Sequence, residues 1–292
     1  MTRLLVSSRI SNMPLAMYKL IRFPNLVIVA FTQYCIAIFL IGPVSDWYLF
    51  LTNTSLNLLV LSTICIAAAG YIINDYYDIK IDIINKPTRL IIGRSISRRY
   101  AMVMHIVLNF LGLILVLPIS YSILALNLLS VFLLWWYSNY LKRQAIWGNL
   151  VVSILTGLSV FVVAILFKKS ELIIAIYALF AFIMSFIREI IKDMEDVKGD
   201  KNYGCQTAPI KFGIRFSKKI IYWAEFVLVL LLFVFSVWFD PYMLLVYIVM
   251  IIIPLGFFTN YLVQADTKKN FSFLSKFCKG LMICGILSMI FI

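Results

Sequence analysis

The chain has 292 residues, of which 63% are hydrophobic and 13% are charged, and its mean hydropathy is +0.99. Soluble domains are roughly 45–50% apolar and about 25% charged, so this composition excludes an ordinary water-soluble protein. The apolar residues suffice for about nine stretches of about 20 residues, the length with which a helix crosses a bilayer. Long separate runs favour helices over a β-barrel, whose strands would give short alternating segments. We therefore predict an all-α membrane protein.

The predicted elements begin with a basic and apolar segment over residues 1–23, which we interpret as an amphipathic helix on the membrane surface. Nine apolar runs follow, and we assign residues 24–292 to a single transmembrane domain. The predicted spans cover residues 24–42, 55–76, 100–120, 121–140, 148–167, 171–192, 219–239, 241–264 and 272–292.

The basic residues predict the orientation in the membrane. Lys and Arg outnumber Asp and Glu by 26 to 13, for a net charge of +13. In a soluble protein this excess would suggest nucleic acid, but no hydrophilic domain exists here to bind it, and we expect no nucleic-acid partner. All basic residues except Lys168 and Lys169 fall on one face of the nine-span arrangement. The positive-inside rule then places the N-terminus and the basic loops in the cytoplasm and the C-terminus outside.

Cysteine and histidine offer no metal centre. The five cysteines show no CxxC spacing and four of them lie in apolar runs, so we predict neither a disulfide framework nor a zinc site. The only histidine, His105, lies in an apolar stretch and is interpreted as a packing residue.

The acidic residues are concentrated in two segments. Eight of the 13 lie within residues 74–82 and 189–200. Each segment continues the cytoplasmic end of an even-numbered span and carries Asp at positions i, i+3 and i+7, which share one face of a helix. The two triplets start 118 residues apart, which suggests an internal repeat. They are Asp75, Asp78 and Asp82 in the first segment and Asp193, Asp196 and Asp200 in the second.

A divalent cation would explain these triplets. Like charges at such spacings repel, the helix dipole disfavours anions at a C-terminal end, and charges at the membrane edge are costly. Carboxylate and amide oxygens are suitable ligands for Mg²⁺, which usually also keeps several water ligands and binds the phosphates of a substrate. Solvated loop carboxylates would explain one cluster, but not two with identical spacing. Two facing stripes would hold Mg²⁺ around a diphosphate, with the six aspartates and Asn74 as candidate metal ligands.

Basic and polar residues near the span ends complete the candidate site. Cations close to the acids would neutralise a departing diphosphate, although the positive-inside bias alone also explains loop cations. Polar side chains at span ends either line a cavity or cap helices. The diphosphate-binding candidates are Lys86, Arg89, Lys142, Arg143 and Lys192, and the cavity candidates are Arg22, Asn25, Tyr137 and Asn149.

These motifs resemble those of a known family. Asn74, Asp78 and Asp82, followed by Asn-Lys-Pro-Thr-Arg at 85–89, resemble the first signature of the UbiA superfamily of intramembrane prenyltransferases. Asp196 and Asp200 within residues 188–201 resemble the second. The resemblance implies about nine transmembrane helices in one bundle around a central chamber that opens to the cytoplasmic side. It also implies that both motifs bind Mg²⁺ and a prenyl diphosphate, whose prenyl group passes to a lipophilic acceptor. With these signatures, Asp78, Asp82, Asp196 and Asp200 are the expected catalytic residues, and Asn74, Asp75 and Asp193 are further expected metal ligands.

The resemblance narrows the substrates but leaves alternatives open. Residues 188–201 are most similar to family members that transfer a geranylgeranyl group to geranylgeranylglyceryl phosphate, which is the expected reaction. An aromatic acceptor of the quinone or homogentisate type is the alternative. A cation-coupled transporter is a more remote one, because intramembrane acids also mark ion pathways. Transporter sites lie near the bilayer midplane, whereas these acids lie at span ends.

Overall fold

The computed structural model describes residues 13–85, 90–238 and 241–292. Within these ranges nine helices of 19 to 32 residues are long and apolar enough to cross a membrane, which confirms the predicted all-α class and the predicted spans. They are Phe23–Ile41, Thr54–Tyr77, Arg98–Val116, Tyr121–Asn139, Trp147–Phe167, Glu171–Asn202, Ile214–Trp238, Pro241–Gln264 and Lys268–Phe291.

We number the α-helices in chain order. Two of the spans include a π-helical turn, at Ala37–Ile41 after α2 and at Ile248–Ile252 between α12 and α13. The helices are α1 (Met13–Leu20), α2 (Phe23–Ile36), α3 (Trp47–Thr52), α4 (Thr54–Tyr77), α5 (Ile79–Asn85), α6 (Arg98–Val116), α7 (Tyr121–Asn139), α8 (Trp147–Phe167), α9 (Glu171–Asn202), α10 (Ala208–Lys211), α11 (Ile214–Trp238), α12 (Pro241–Tyr247), α13 (Ile253–Gln264) and α14 (Lys268–Leu287).

The surfaces of these helices are apolar, as a bilayer requires. Val103, Ile106 and Phe110 on α6 are exposed, and so are Trp223 and Phe226 on α11. Exposure of such apolar faces to water would be unfavourable, whereas their exposure to the hydrocarbon chains of a lipid bilayer is not. A helix also satisfies its own backbone hydrogen bonds, which lipid cannot do. Apolar runs of this length therefore form helices.

One compact unit comprises Met1–Phe31 and Thr54–Tyr140. Its helices α4 and α6 approach closely at Gly112, where a Cβ atom would lie 3.2 Å from the backbone oxygen of Ser62. The Ser62 hydroxyl donates to the Gly112 carbonyl, and Asn127 Nδ2 on α7 donates to Ser62 Oγ at 2.8 Å. His105 is buried with Nδ1 3.0 Å from the carbonyl oxygen of Ala69. Small residues and interhelical hydrogen bonds thus hold these three helices together.

The other compact unit comprises Thr32–Asn53 and Leu141–Ile292. Its long helix α9 packs against α8, α11 and α14, and buried residues of α9, α11, α13 and α14 form one apolar core. A Cβ atom on Gly157 of α8 would lie 3.0 Å from the backbone oxygen of Ala178 on α9. Near the opposite end from the acids, Tyr177 Oη lies 3.3 Å from Tyr247 Oη and 3.0 Å from Ser288 Oγ.

The predicted organisation into residues 1–23 and 24–292 stays a prediction, as does the chamber that opens to the cytoplasm. Residues 1–12 lie outside the described part of the chain. Within the rest of the segment, α1 buries Ala16 and Leu20 in a small core with Ile72 of α4, while Leu15 and Tyr18 are exposed. This helix therefore has one apolar face against the protein.

Candidate active site

The first acidic stripe lies at the joint between α4 and α5. Asp78 separates the two helices, yet its backbone N–H bonds to the Asn74 carbonyl at 3.0 Å and the Asp82 N–H bonds to the Asp78 carbonyl at 2.8 Å. Because the i→i−4 bonding continues through the joint, Asn74, Asp78 and Asp82 lie on one helical stripe.

Two predicted metal ligands are in direct contact in this stripe. Asn74 Nδ2 donates to Asp78 Oδ2 at 3.0 Å, and Asp78 is 5% exposed. Because this bond uses the amide nitrogen of Asn74, the pair provides both an amide oxygen and a carboxylate. Mg²⁺ in proteins usually takes one or two carboxylates, retains waters and shares substrate phosphates. This donor set fits that ion.

The predicted cavity residues Arg22 and Asn25 both contact the acidic helix α4. Arg22 Nη2 donates to Asp75 Oδ1 at 2.8 Å, and its guanidinium lies over the Tyr71 ring at 4.8 Å. Asn25 Nδ2 lies 3.4 Å from Tyr71 Oη. The first acid of the triplet is therefore held by a cation from the turn that precedes α2.

The second acidic stripe lies on one continuous helix. Asp193, Asp196 and Asp200 belong to α9, which extends to Asn202, ten residues beyond the predicted end of the span. Asn149, the third residue of α8, donates from Nδ2 to Asp193 Oδ2 at 2.8 Å and is buried. Asn149 was predicted as a cavity residue, and the structure places it on an acid of the second stripe.

A buried carboxylate lies between two cations one turn before this stripe. Arg188 Nη1 lies 2.7 Å from Glu189 Oε1, and Lys192 Nζ lies 3.1 Å from Glu189 Oε2. The Glu189 side chain is only 8% exposed. Lys192 was predicted to bind diphosphate. No role was predicted for Glu189, although its spacing of three from Lys192 is typical of a helical ion pair.

The predicted basic pair Lys142 and Arg143 lies beside the end of α9. Both belong to a short 3₁₀ helix, Leu141–Arg143. The backbone N–H of Gln206 donates to the Arg143 carbonyl at 2.7 Å, and Cys205 N–H donates to the Asp200 carbonyl at 3.0 Å. The chain that follows Asp200 thus reaches the loop that carries the basic pair.

The remaining candidates are placed as follows. Tyr137 lies near the C-terminal end of α7 and is half-buried. Lys86 and Arg89 lie outside the described residues. Among the residues that the structure describes, no three His, Cys, Asp or Glu side chains converge as a preformed metal site.

One buried acid was not among the residues predicted from the sequence. Glu225 lies near the middle of α11, is 6% exposed, and accepts a hydrogen bond from Thr259 Oγ1 at 2.8 Å. An acid inside an apolar span was a usable signal, because intramembrane carboxylates are rare and usually face the protein interior.

Comparison with known proteins gives the family. The model of the UbiA prenyltransferase family matches residues 29–281. A relative from Saccharolobus solfataricus, named digeranylgeranylglyceryl phosphate synthase, is 35% identical over 247 residues, which cover 84% of this chain and 86% of the relative.

Solved structures agree with this result. The structure of a digeranylgeranylglyceryl phosphate synthase has a TM-score of 0.69 and 26% identity, covering 96% of this chain and 98% of its own. A UbiA homolog from Archaeoglobus fulgidus bound to GPP and Mg²⁺ shares the fold, with a TM-score of 0.63, 16% identity, and coverage of 95% and 100% of the two chains. The chain belongs to the UbiA prenyltransferase family.

Proposed function

We propose that this prenyltransferase, an integral membrane protein with several spans, transfers a geranylgeranyl group from its diphosphate to the hydroxyl of geranylgeranylglyceryl phosphate. The observation that carries the proposal is the pair of acidic stripes, each with its acids on helical positions and each with an asparagine bonded to one acid. The relative at 35% identity, whose name specifies this product, supports the choice of substrates.

The chemistry of the donor set supports a dependence on Mg²⁺. We assign its binding to Asn74, Asp78, Asp82, Asp196 and Asp200. When bound, Mg²⁺ neutralises charge on the diphosphate leaving group. Asn74 keeps the Asp78 carboxylate in place through the 3.0 Å bond from its amide nitrogen. Asp78 and Asp200 are both buried, so their charges are costly without a counterion.

The basic residues Lys86, Arg89, Lys142, Arg143 and Lys192 are assigned to the diphosphate. In the reaction, the bond between C1 of the prenyl group and the diphosphate oxygen breaks. C1 then bonds to the acceptor oxygen, whose proton is released. Cations beside the diphosphate stabilise the charge that develops on it. Lys192 is held by Glu189 in this structure, so Glu189 fixes where its ammonium lies.

The proposed topology places the N-terminus, both acidic stripes and the basic loops in the cytoplasm, with the C-terminus outside. It rests on the distribution of Lys and Arg and on the positive-inside rule. An odd number of spans among the described residues agrees with termini on opposite sides. Single cysteines introduced at Ser7 and Ile292 of a variant that lacks the five native cysteines, labelled in intact cells and in lysed cells, test this topology.

The reaction is tested with purified protein in nanodiscs. Radiolabelled geranylgeranyl diphosphate is offered with geranylgeranylglyceryl phosphate, with Mg²⁺ or with EDTA, and products are identified by mass spectrometry. We expect label in the digeranylgeranyl product only with Mg²⁺. Asp78→Ala and Asp200→Ala should each abolish transfer. Asp266→Ala is the matched control, because this acid is 83% exposed and forms only a 3.4 Å ion pair with Lys218.

The outcomes separate the alternatives. Full activity of both Asp78→Ala and Asp200→Ala contradicts the metal assignment. A parallel reaction offers an aromatic acceptor, and transfer of label to it, with none to geranylgeranylglyceryl phosphate, contradicts the assigned acceptor. Movement of a substrate across liposomes without release of diphosphate favours a transporter.

A further inference from the structure

The turns that precede α2 and α8 share an unusual backbone. Arg22, directly before α2, has a φ of 52°, and Ile146, directly before α8, has a φ of 71°. Left-handed backbone is unfavourable for residues other than glycine, above all for a β-branched one, and persists where surrounding contacts enforce it. In each case an asparagine follows as the third residue of the helix, Asn25 in α2 and Asn149 in α8.

At each site a polar side chain from the turn or from the first turn of the helix contacts the acidic helix of the same unit. Arg22 donates to Asp75 at 2.8 Å, and Asn25 lies 3.4 Å from Tyr71, one turn earlier on α4. Asn149 donates to Asp193 on α9 at 2.8 Å. The contacted acid is in both cases the first of its triplet, three residues before the next.

We propose that each left-handed turn and the first residues of the helix that follows it form a clamp. Asp75 and Asp193 are then positioning residues, through which the clamps fix the orientation of α4 and α9. This inference rests on the proposed function. It assigns the direct metal contacts to the later acids of each triplet and gives the first acids a different role.

The magnitude of a helix rotation supports such a role. Side chains reach a radius of about 6 Å from a helix axis, so a rotation of about 20° displaces a carboxylate by about 2 Å. A productive site tolerates about 0.5 Å. A bond to the first acid, close to the later acids on the same face, limits this rotation more effectively than apolar packing, which has no fixed direction.

The two clamps differ in charge. The first uses the guanidinium of Arg22, which compensates the charge of Asp75. At the corresponding position the second has Ile146, which cannot do so, and the neutral amide of Asn149 makes the contact. We therefore expect the first clamp to depend on charge and the second on hydrogen-bond geometry.

The test compares variants of the second clamp with a matched control. Asn149→Ala and Asp193→Ala should raise the Mg²⁺ concentration for half-maximal activity by about 10- to 100-fold, the range found when residues behind metal ligands are changed. The same variants should weaken the rise in melting temperature that Mg²⁺ alone produces without substrate. Asn127→Ala removes a similar buried interhelical hydrogen bond. It should lower the melting temperature while leaving both Mg²⁺ responses unchanged.

The first clamp is tested by exchange of its charges. Arg22→Asp should weaken the Mg²⁺ responses as Asn149→Ala does, and Asp75→Arg in the same chain should restore part of them. The double variant Asn149→Ala with Asp193→Ala should be no worse than the more impaired single variant, because both remove one contact.

Two results would overturn the inference. One is that Asp75→Ala and Asp193→Ala abolish the thermal response to Mg²⁺ as completely as Asp78→Ala, while Arg22→Gln and Asn149→Ala keep the wild-type response. The other is strict additivity of Asn149→Ala and Asp193→Ala. Failure of the proposed function looks different, because the wild-type protein would then show no Mg²⁺-dependent transfer at all.

Discussion

The cluster of Glu189 with Arg188 and Lys192 provides a test of how the acidic helix is stabilised. Glu189→Gln keeps the shape of the side chain but removes the charge that both cations share at 2.7 and 3.1 Å. Removing one partner of a fully buried ion pair costs about 3–5 kcal/mol. The Arg188 and Lys192 side chains are 19% and 26% exposed, so water offsets part of this cost and we expect about 2–3 kcal/mol.

The expected loss is measurable as a shift of the melting temperature. For chains of this size about 1 kcal/mol corresponds to roughly 2–4 °C, so Glu189→Gln should melt about 4–12 °C lower. The assay is thermal unfolding of detergent-purified protein without substrate or Mg²⁺. Glu195→Gln on the same helix is the control, because Glu195 is only half-buried, and its effect should stay within about 0.5 kcal/mol.

Lys192→Met tests whether uncompensated positive charge causes this loss of stability. If the loss arises from uncompensated positive charge, Lys192→Met in the Glu189→Gln background should recover part of the stability, although Lys192→Met alone should lower it. If the double variant is less stable than Glu189→Gln, or if Glu189→Gln melts with the wild type, the charge argument is wrong.

Three further predictions follow from packing and from the metal. Gly157→Val should destabilise the protein by about 1–3 kcal/mol, because its Cβ atom would lie 3.0 Å from the Ala178 backbone oxygen. Gly256→Val is the control, because a Cβ atom there meets nothing within 4 Å, and equal melting temperatures of the two variants would contradict the prediction. Asn127→Ala should cost about 0.6–1.7 kcal/mol through loss of its bond to Ser62, and an unchanged denaturation midpoint would contradict it. Removal of Mg²⁺ by EDTA should lower the stability by about 2.7 kcal/mol relative to a concentration 100 times its Kd, and Asp78→Ala should lose this difference; a difference that persists in Asp78→Ala would place the ion elsewhere.

The spans could be predicted from the sequence because hydrophobicity over about 20 residues is a local property. The limits agree within a few residues for most spans, as for 55–76 against Thr54–Tyr77. The largest deviation is α9, which continues from the predicted end at residue 192 to Asn202. Hydropathy indicates where a helix leaves the apolar phase, whereas the helix itself ends where its backbone bonding ends.

The partners of the acids could not be predicted. The spacing placed Asp75, Asp78 and Asp82 on one face, which follows from helical geometry alone. The contact from Arg22 to Asp75 joins residues 53 apart, and no local pattern specifies which polar side chain meets which. The positive φ at Arg22 and Ile146 could not be predicted either, because glycine, the usual signal for such a turn, is absent from both positions.

The two clamps also bear on whether the acidic stripes are an accident of composition. The contact from Arg22 to Asp75 spans 53 residues, and the contact from Asn149 to Asp193 spans 44. The intervening chains differ, because the first contains the extra helix α3 and the second does not. Chain connectivity alone would therefore not bring both turns to the first acid of a triplet. Two helix starts, each preceded by a residue with positive φ, contact equivalent acids through unequal connections and with different chemistry, a cation in one and an amide in the other. The two units have in common a first acid that is bonded to a polar side chain, which is the arrangement that the proposed positioning role of Asp75 and Asp193 requires.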